Sequence, residues 1–355
     1  VERSRGLGDV YKRQNFTSQF MNKILVDSEI QDSSRKLKIV PESVSYSDAE
    51  MRDKLLQLDK TCCIVKNGDS VGVCLKEDAD ESTSGPLMSL LAQALPLKTT
   101  QLGDPEFVKF HSLKMAYMTG SMANGIASEN LVISSGKVGL LSSFGAAGLL
   151  PSRIEQAINI IQKALPDGPY AFNLIHSPSE DAIERAAVDL YLKHGVRTVE
   201  ASAFLGLTPN IVRYRVAGLR RSTQNHVEIT NRVIAKISRA EVASKFMAPA
   251  PEAMLNKLLE EKSITREQAQ LAAAVPMADD ITVEADSGGH TDNRPLVSLL
   301  PAIIALREQF QEQYGYSHTI RVGAAGGIGT PASALAAFMM GAAYVVTGSV
   351  NQACV

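Results

Sequence analysis

The stretch IRVGAAGGIGTP, residues 320–331, decides the fold. Its first three residues form a short apolar run of the kind that makes a buried strand, and a glycine-rich loop follows. Pro331 then opens a helical period, and proline is favoured in the first turn of a helix. The same arrangement returns at the end of the chain, where Tyr344–Thr347 precede Gly348-Ser349. Both stretches predict parallel strands that alternate with helices.

The alternation extends outward from this stretch over roughly 235 residues, and helical periods such as Ser152–Leu165 separate the apolar runs. Eight strands separated by helices predict a (β/α)8 TIM barrel, which typically needs about 250 residues. An open, doubly wound sheet is the alternative, less favoured because the motif residues follow many strands instead of one switch point. The predicted strands are Met115–Met118, Val138–Leu141, Tyr170–Leu174, Thr198–Ala201, Val233–Ile237, Ile281–Glu284, Ile320–Val322 and Tyr344–Thr347.

The remaining segments divide the chain further. Residues 1–14, VERSRGLGDVYKRQ, have no apolar period and are interpreted as non-native adapter or linker sequence. Residues 15–107 are predicted to form a small N-terminal appendage, and residues 108–355 the barrel. Residues 238–275 hold more than one helix after the fifth strand, which indicates an insertion that acts as a lid or docking element. No helix follows Gly348-Ser349, which predicts a truncated C-terminus.

Within the appendage, a strand hairpin is predicted from Cys62–Val65 and Val71–Leu75, because Asn67-Gly68-Asp69 between them are turn residues. The segment from Pro86 to Gly103 is predicted to be a loop with one short helix. No chemistry is assigned to this part of the chain.

Composition excludes several classes of function. The formal charge of -2 and the 5% aromatic content without tryptophan argue against a nucleic-acid partner or an anionic membrane surface. The longest apolar stretch, Ala332–Val346, is too short to span a bilayer, so a cytoplasmic protein is predicted. The four cysteines, Cys62, Cys63, Cys74 and Cys354, lack zinc-ligand spacing and are predicted to be reduced, and no metal site is expected.

Two glycine-rich loops give the strongest functional signal. TIM barrels often bind phosphate with the loops after strands seven and eight, through exposed N–H groups. Gly326-Gly327 and Gly348-Ser349 occupy those two loops. The spacing is not the dinucleotide fingerprint, so a single phosphate, as in FMN, is favoured over the pyrophosphate of NAD.

Other loops supply polar candidates, each with a purely structural alternative. Gly120-Ser121 after the first strand would let a flat ligand lie on the backbone, or would form an ordinary turn. Asn173 would bind a flavin edge or cap the next helix. Lys236 would face the anionic edge of a reduced flavin or extend to the barrel mouth. Gly288-Gly289 present His290 at the mouth, where histidine suits proton transfer.

Several long segments, in order, resemble one family of enzymes. GSMANGIAS (120–128), NRVIAKISR (231–239), EADSGGHTDNRP (284–295) and GAAGGIGTP (323–331) look like the PfaD subunit of polyunsaturated fatty acid synthases and the trans-acting enoyl reductases of polyketide synthases. FGAAGL (144–149) belongs to the same set. The wider resemblance is to the 2-nitropropane dioxygenase (nitronate monooxygenase)-like FMN barrels.

The resemblance implies FMN as the prosthetic group, NADPH as the hydride donor and a trans-2-enoyl group on an acyl carrier protein as the substrate; it also allows a homodimer. His290 matches the catalytic histidine of the superfamily. Cofactor binding is expected from Ala116, Met118, Gly120, Ser121, Asn173, Lys236, Gly288, Gly289, Ala325, Gly326, Gly327, Gly348 and Ser349.

Three alternatives share the barrel. A nitronate monooxygenase would use oxygen as acceptor, and a non-catalytic synthase subunit would keep only the fold. An IMP-dehydrogenase-like enzyme would need a nucleophilic cysteine in a barrel loop, and none of the four cysteines lies in such a loop.

Overall fold

The computed structural model describes residues 36–79, 85–224, 226–287 and 291–353. The chain divides into two compact units, Val1–Thr99 and Thr100–Val355. Over the described ranges, no helix combines the length and the apolar character that a membrane crossing requires.

The first unit contains an antiparallel sheet of four strands and one α-helix among its described residues. The elements are β1 Lys36–Lys38, α1 Asp48–Leu55, β2 Cys62–Asn67, β3 Ser70–Leu75 and β4 Leu87–Ala94. The strand order is β1-β4-β2-β3. The predicted hairpin is present, since Asn67 pairs with Ser70 and the turn residue Gly68 has φ of +59°. Cys63 lies opposite Cys74 in this hairpin, and both side chains are buried.

The predicted loop from Pro86 to Gly103 is wrong over its first half, because Leu87–Ala94 forms β4. Met88 and Leu90 alternate into the core of the first unit, and the strand pairs with both β1 and β2. Leu87 and Leu91 are apolar residues on its exposed side, and they hide this alternation in the sequence. A single 3-10 turn at Thr99–Gln101 is the only helical element in that segment.

The second unit is a closed barrel of eight parallel strands surrounded by helices, which confirms the predicted fold class. β14 pairs with β5 to close the circle. The barrel strands, in order, are β5 Tyr117–Thr119, β6 Leu141–Phe144, β7 Ala171–Ile175, β8 Thr198–Ser202, β11 Arg232–Ile237, β12 Asp280–Glu284, β13 Arg321–Ala325 and β14 Val345–Thr347. The helices are α2 Pro105–Phe110, α3 Glu129–Lys137, α4 Pro151–Ala164, α5 Asp181–Lys193, α6 Pro209–Ala217, α7 Ala240–Met247, α8 Glu252–Glu260, α9 Arg266–Ala272, α10 Leu296–Tyr314 and α11 Pro331–Met339.

Two segments depart from a simple repeat of strand and helix. α7, α8 and α9 all lie between β11 and β12, where the sequence predicts an insertion. A short hairpin, β9 Leu219–Arg221 with β10 Val227–Ile229, precedes β11 and is not predicted from the sequence.

The second barrel strand lies further along the chain than predicted. Val138 ends α3 instead of opening a strand, and Gly139, with φ of +80°, turns the chain. Ser142 and Ser143 are therefore strand residues, not the start of a loop, and both are fully buried. In the sequence, two adjacent serines are typical of a polar loop. In the structure, Thr119 donates a hydrogen bond to Ser142 Oγ, so this buried hydroxyl has a partner inside the barrel.

The amino-terminal end of the barrel is closed by α2 and the residue after it. Phe107 stacks on Tyr344 with 4.0 Å between ring centroids. His111 Nε2 lies 2.8 Å from Asp280 Oδ2, and Arg321 Nε donates to Asp280 Oδ1 at 2.6 Å. Burial alone would raise the pKa of Asp280, but Arg321 and His111 outweigh it and lower that pKa to about 2. The carboxylate is thus held ionised at the first residue of β12.

Replacing Asp280 with Asn should lower the free energy of unfolding of the barrel by about 3–5 kcal/mol at neutral pH, because Arg321 is left buried without its counter-charge. The pKa of Asp280 is depressed, so its contribution is present above its ordinary pKa of about 4 and is lost as the pH falls through about 2. Urea denaturation from pH 7 to 2.5 should show that the difference in free energy of unfolding between wild type and variant decreases below about pH 4. Glu106→Gln, on the surface of α2, is the control and should change stability by under about 0.5 kcal/mol. A difference in free energy of unfolding that stays constant with pH would contradict the stabilising role of the ionised Asp280.

Candidate functional site

The carboxyl ends of the eight strands meet at one end of the barrel, here called the mouth, where TIM-barrel enzymes carry their active sites. The loop after β13 is held there by glycines. Gly326 and Gly327 have φ of +87° and +67°, a conformation that other residues rarely adopt. A Cβ on Gly326 would stand 2.5 Å from the carbonyl oxygen of Ala285, so this loop lies directly against the end of β12. A cavity of about 310 Å³ opens beside it, lined in part by Asp286 and Ile328.

The loop after β14 is open instead of tight. A Cβ on Gly348 would meet no atom within 4 Å, and the exposed Ser349 begins a 3-10 helix, Ser349–Ala353. Asn351 Nδ2 donates to the carbonyl of Thr347 at 2.8 Å and fixes the turn out of the strand. The two predicted phosphate loops therefore follow neighbouring strands at the mouth, one packed against β12 and the other facing free space.

A buried carboxylate that the sequence analysis missed lies inside the mouth. Glu200, in β8, is fully buried, and its Oε2 accepts the backbone N–H of Ser121 at 2.9 Å. Its Oε1 has no hydrogen-bond partner among the described residues, and the same holds for Ser143 Oγ two strands away. The one sequence signal for Glu200 is a charged residue between the apolar residues Val199 and Ala201 of a barrel strand, since charged residues are rarely fully buried.

Lys236 lies in the same interior layer and is an ion-pair partner, not a lysine that extends into solvent. Its Nζ is 3.3 Å from Glu284 Oε1, and both side chains are 16% exposed. Burial alone would lower the pKa of Lys236, but Glu200 and then Glu284 outweigh it and raise that pKa above its ordinary value. Lys236 therefore stays a cation at neutral and mildly alkaline pH, between two carboxylates.

The side-chain amide of Asn173 binds the neighbouring barrel strand β8. Its Nδ2 donates to the carbonyl of Glu200 at 3.1 Å and to Ser202 Oγ at 2.8 Å. It does not cap the following helix, whose N-cap residue is Glu180. Any contact of Asn173 with a ligand would thus have to involve its Oδ1.

The other predicted residues lie at different depths. Gly120 and Ser121 directly follow β5 at the mouth, and Ala325 ends β13. Ala116 and Met118 belong to the buried cluster of Phe107 and Tyr344, deeper in the barrel. Ala116 is three residues below the end of β5, roughly 10 Å along the strand, so the structure does not bring it to the mouth.

Gly288, Gly289 and His290 lie outside the described residues. The chain on either side of them is anchored to the mouth. The backbone N–H of Asp286 donates to the carbonyl of Arg294 at 3.0 Å. Asp292 accepts two hydrogen bonds from Arg239, at 2.7 and 2.6 Å, and one from Ser238. Arg239 and Ser238 hold the pKa of Asp292 at about 2, so this link between the loop after β12 and the end of β11 is ionic at neutral pH.

No protein-family profile matches the chain. One of the polyunsaturated fatty acid synthase proteins of Thraustochytrium sp. is 46% identical over 335 residues, which are 92% of this chain and 22% of that protein. Polyketide biosynthesis protein PksE of Bacillus subtilis is 50% identical over 252 residues, 71% of this chain and 33% of that protein. The chain is homologous to one segment of these synthase proteins. The resemblance predicted from its motifs is thereby confirmed.

A solved structure has the same architecture. The enoyl reductase domain of MlnA, from the macrolactin biosynthesis cluster of Bacillus amyloliquefaciens, aligns with a TM-score of 0.69 at 41% identity. The alignment covers 72% of this chain and 58% of that one. The chain spans only 22% and 33% of the two synthase relatives, so it corresponds to a part of each.

Replacing Lys236 with Met should lower the free energy of unfolding by roughly 2–4 kcal/mol, because Glu200 and Glu284 would remain as mostly buried like charges. The double variant Lys236→Met/Glu284→Met should lose less than the sum of the single variants in urea denaturation. Lys257→Met is the control. Its partner Glu261 lies at 4.0 Å in an exposed pair, and its effect should stay below about 0.5 kcal/mol. Equal losses for Lys236→Met and Lys257→Met would show that the charges at the mouth are not coupled.

Proposed function

We propose that the chain is an FMN-dependent enoyl reductase domain of a polyunsaturated fatty acid or polyketide synthase, which reduces trans-2-enoyl groups on an acyl carrier protein with NADPH. The observation that carries the proposal is its 41% identity to the enoyl reductase domain of MlnA over most of the barrel. The synthase relatives support the same context.

The residues at the mouth fit FMN in two ways. Gly327 and Gly348 leave space beside their backbones, as a phosphate that approaches N–H groups requires. Glu200 Oε1 and Ser143 Oγ are buried polar atoms without a partner among the described residues, and such atoms call for a ligand or water. A flavin ring, which carries both donors and acceptors along one edge, suits them. Gly326, Gly327, Gly348 and Ser349 would hold the phosphate, and Gly120 and Ser121 would line the ring.

FMN, when bound, would supply hydride transfer to the β-carbon of the enoyl thioester. The chain's own charges would prepare the site for it. Lys236 places a permanent cation in a low-dielectric interior, where it would stabilise negative charge more strongly than in water. Glu200 and Glu284 hold that cation in place. His290, as the matching histidine of the superfamily, would deliver the proton to the α-carbon.

The insertion supports a large substrate. α7 is joined to the loop after β8, because Lys245 Nζ donates to the carbonyl of Leu205 at 3.0 Å. Leu205 itself is 62% exposed. The insertion of three helices between β11 and β12 suits a bulky, protein-borne substrate better than a small nitronate.

The test is the visible absorbance spectrum of the protein after incubation with FMN, followed by two assays. Flavin absorbance, with NADPH oxidation that depends on a trans-2-enoyl thioester, is the expected result. Nitronate-dependent oxygen uptake without enoyl reduction would replace the proposal by a nitronate monooxygenase. Absence of bound flavin at any FMN concentration would overturn the cofactor assignment and favour a non-catalytic synthase subunit.

Gly348→Ala should weaken FMN binding by roughly tenfold or more, because its methyl group would fill the space of a charge-assisted hydrogen bond worth about 1.5–3 kcal/mol. Flavin fluorescence quenching measures the affinity. Gly329→Ala is the matched control, since its Cβ would also meet no atom within 4 Å and it is not among the predicted phosphate residues. Both variants should melt at the wild-type temperature. Equal FMN affinity in Gly348→Ala and wild type would remove Gly348 from the site.

A further inference from the structure

A cavity of the second unit lies at the opposite end of the barrel from the mouth. It has a volume of about 770 Å³, within the usual range of ligand pockets. Its walls come from residues that precede or begin strands, among them Leu141, Tyr170 and Arg232, and from the hairpin β9–β10. This hairpin is an addition to the barrel repeat and forms one side of the cavity. We call the cavity the basal cleft.

One arginine of the basal cleft differs from its buried neighbours. Arg215 and Arg321 each make two-pronged hydrogen bonds to a carboxylate, Asp279 and Asp280 respectively. Arg232, the first residue of β11, forms no ion pair within the described part of the chain, and its Nε is buried without an acceptor. Its guanidinium lies over the ring of Phe110, 4.5 Å from the centroid, and Arg321 lies over the same ring at 4.3 Å. A flat cation supported on an aromatic face presents its N–H groups to a carboxylate or a phosphate.

The surrounding charges favour an anion. Burial lowers the pKa of Arg232, and Asp279 and Asp280 offset this only in part. Arg197 also lines the basal cleft, while Arg220 is paired with Glu228 at 2.7 Å. The remaining carboxylate of the lining is Asp167, and the two histidines are His111 and His318. Two arginines thus face the cleft without a carboxylate partner among the described residues.

Apolar side chains complete the lining, with Phe110, Leu141, Val227 and Ile229 beside the arginines. A bare inorganic ion would leave this apolar surface in water. A ligand with an anionic group at one end and an apolar body would use both parts of the cleft.

We propose that the basal cleft is a second binding site, for a small carboxylate or phosphate monoester with an apolar body, held by Arg232 and Arg197. It is separate from the proposed FMN site. Lys236 lies four residues beyond Arg232 on β11, roughly 13 Å along the strand, and Ile234 is fully buried between them.

The site is tested by NMR with methyl-labelled Ile and Val in the full chain. The probes are benzoate and phenyl phosphate, which separate the two anionic groups, and benzyl alcohol is the uncharged control. At least one anion should shift the methyl signals of Val227 and Ile229 in a saturable way and leave Ile328, at the mouth, unchanged. Arg232→Gln should weaken that binding by about tenfold or more, because it removes a two-pronged charge-assisted contact. Arg185→Gln, an exposed arginine on α5, is the matched control and should bind as wild type does.

Absence of saturable shifts in the wild type, or equal affinity in Arg232→Gln, would overturn the proposal. If Arg232→Gln does not fold, Arg232→Lys takes its place, since it keeps the charge and loses the planar fork. Weaker binding by that variant supports the proposal, and unchanged binding contradicts it. Shifts at Ile328 alone would mean that the probe occupies the mouth only, which also counts against the basal cleft. None of these outcomes depends on FMN binding or on enoyl reduction.

Discussion

Charge pairing inside a closed barrel is the constraint on which the rest of this structure depends. Alternate residues of each strand point inward, and several of those in β8, β11, β12 and β13 are charged. A charge in that interior is costly unless an opposite charge lies beside it. At one end, Asp280 meets Arg321 and His111, and at the mouth Lys236 lies between carboxylates. Met118 and Ile234, both fully buried, belong to the apolar cluster of the same interior.

The alternation explains how far the sequence could predict the fold. The number of strands and their order along the chain follow from apolar runs separated by helical periods, and the barrel follows from those. The prediction fails where an inward face is polar. Ser142 and Ser143 resemble loop residues in the sequence because they are polar, although both are fully buried and the Ser142 hydroxyl accepts a hydrogen bond from Thr119. The prediction also fails at strand β4, because only Met88 and Leu90 of its eight residues are buried and the apolar pattern is short.

The residues of the candidate site also fall into two groups, those that local sequence could predict and those that depend on contacts between strands. Gly326 and Gly327 were accessible to prediction, because two glycines at the end of a barrel strand indicate a backbone conformation that other residues rarely adopt. Glu200 was not, because its partners come from other strands. Ser121 is far away in sequence and reaches Glu200 only after the barrel closes. Asn173 Nδ2 binds β8, and this contact too was not visible in the sequence, because its partners lie on another strand.

An interior charge that has a partner stabilises the fold, whereas one that lacks a partner can bind a ligand. This difference indicates where ligands are to be expected. Asp280 is satisfied on all sides, so its role is to close the barrel, and a ligand would only compete with Arg321. Glu200 keeps an oxygen without a partner among the described residues, and Arg232 keeps its guanidinium without a carboxylate. The cost of leaving such groups buried and unmatched exceeds the gain of an ordinary hydrogen bond. Each is therefore a place where a ligand or water is to be expected, and the two residues lie on neighbouring strands, β8 and β11.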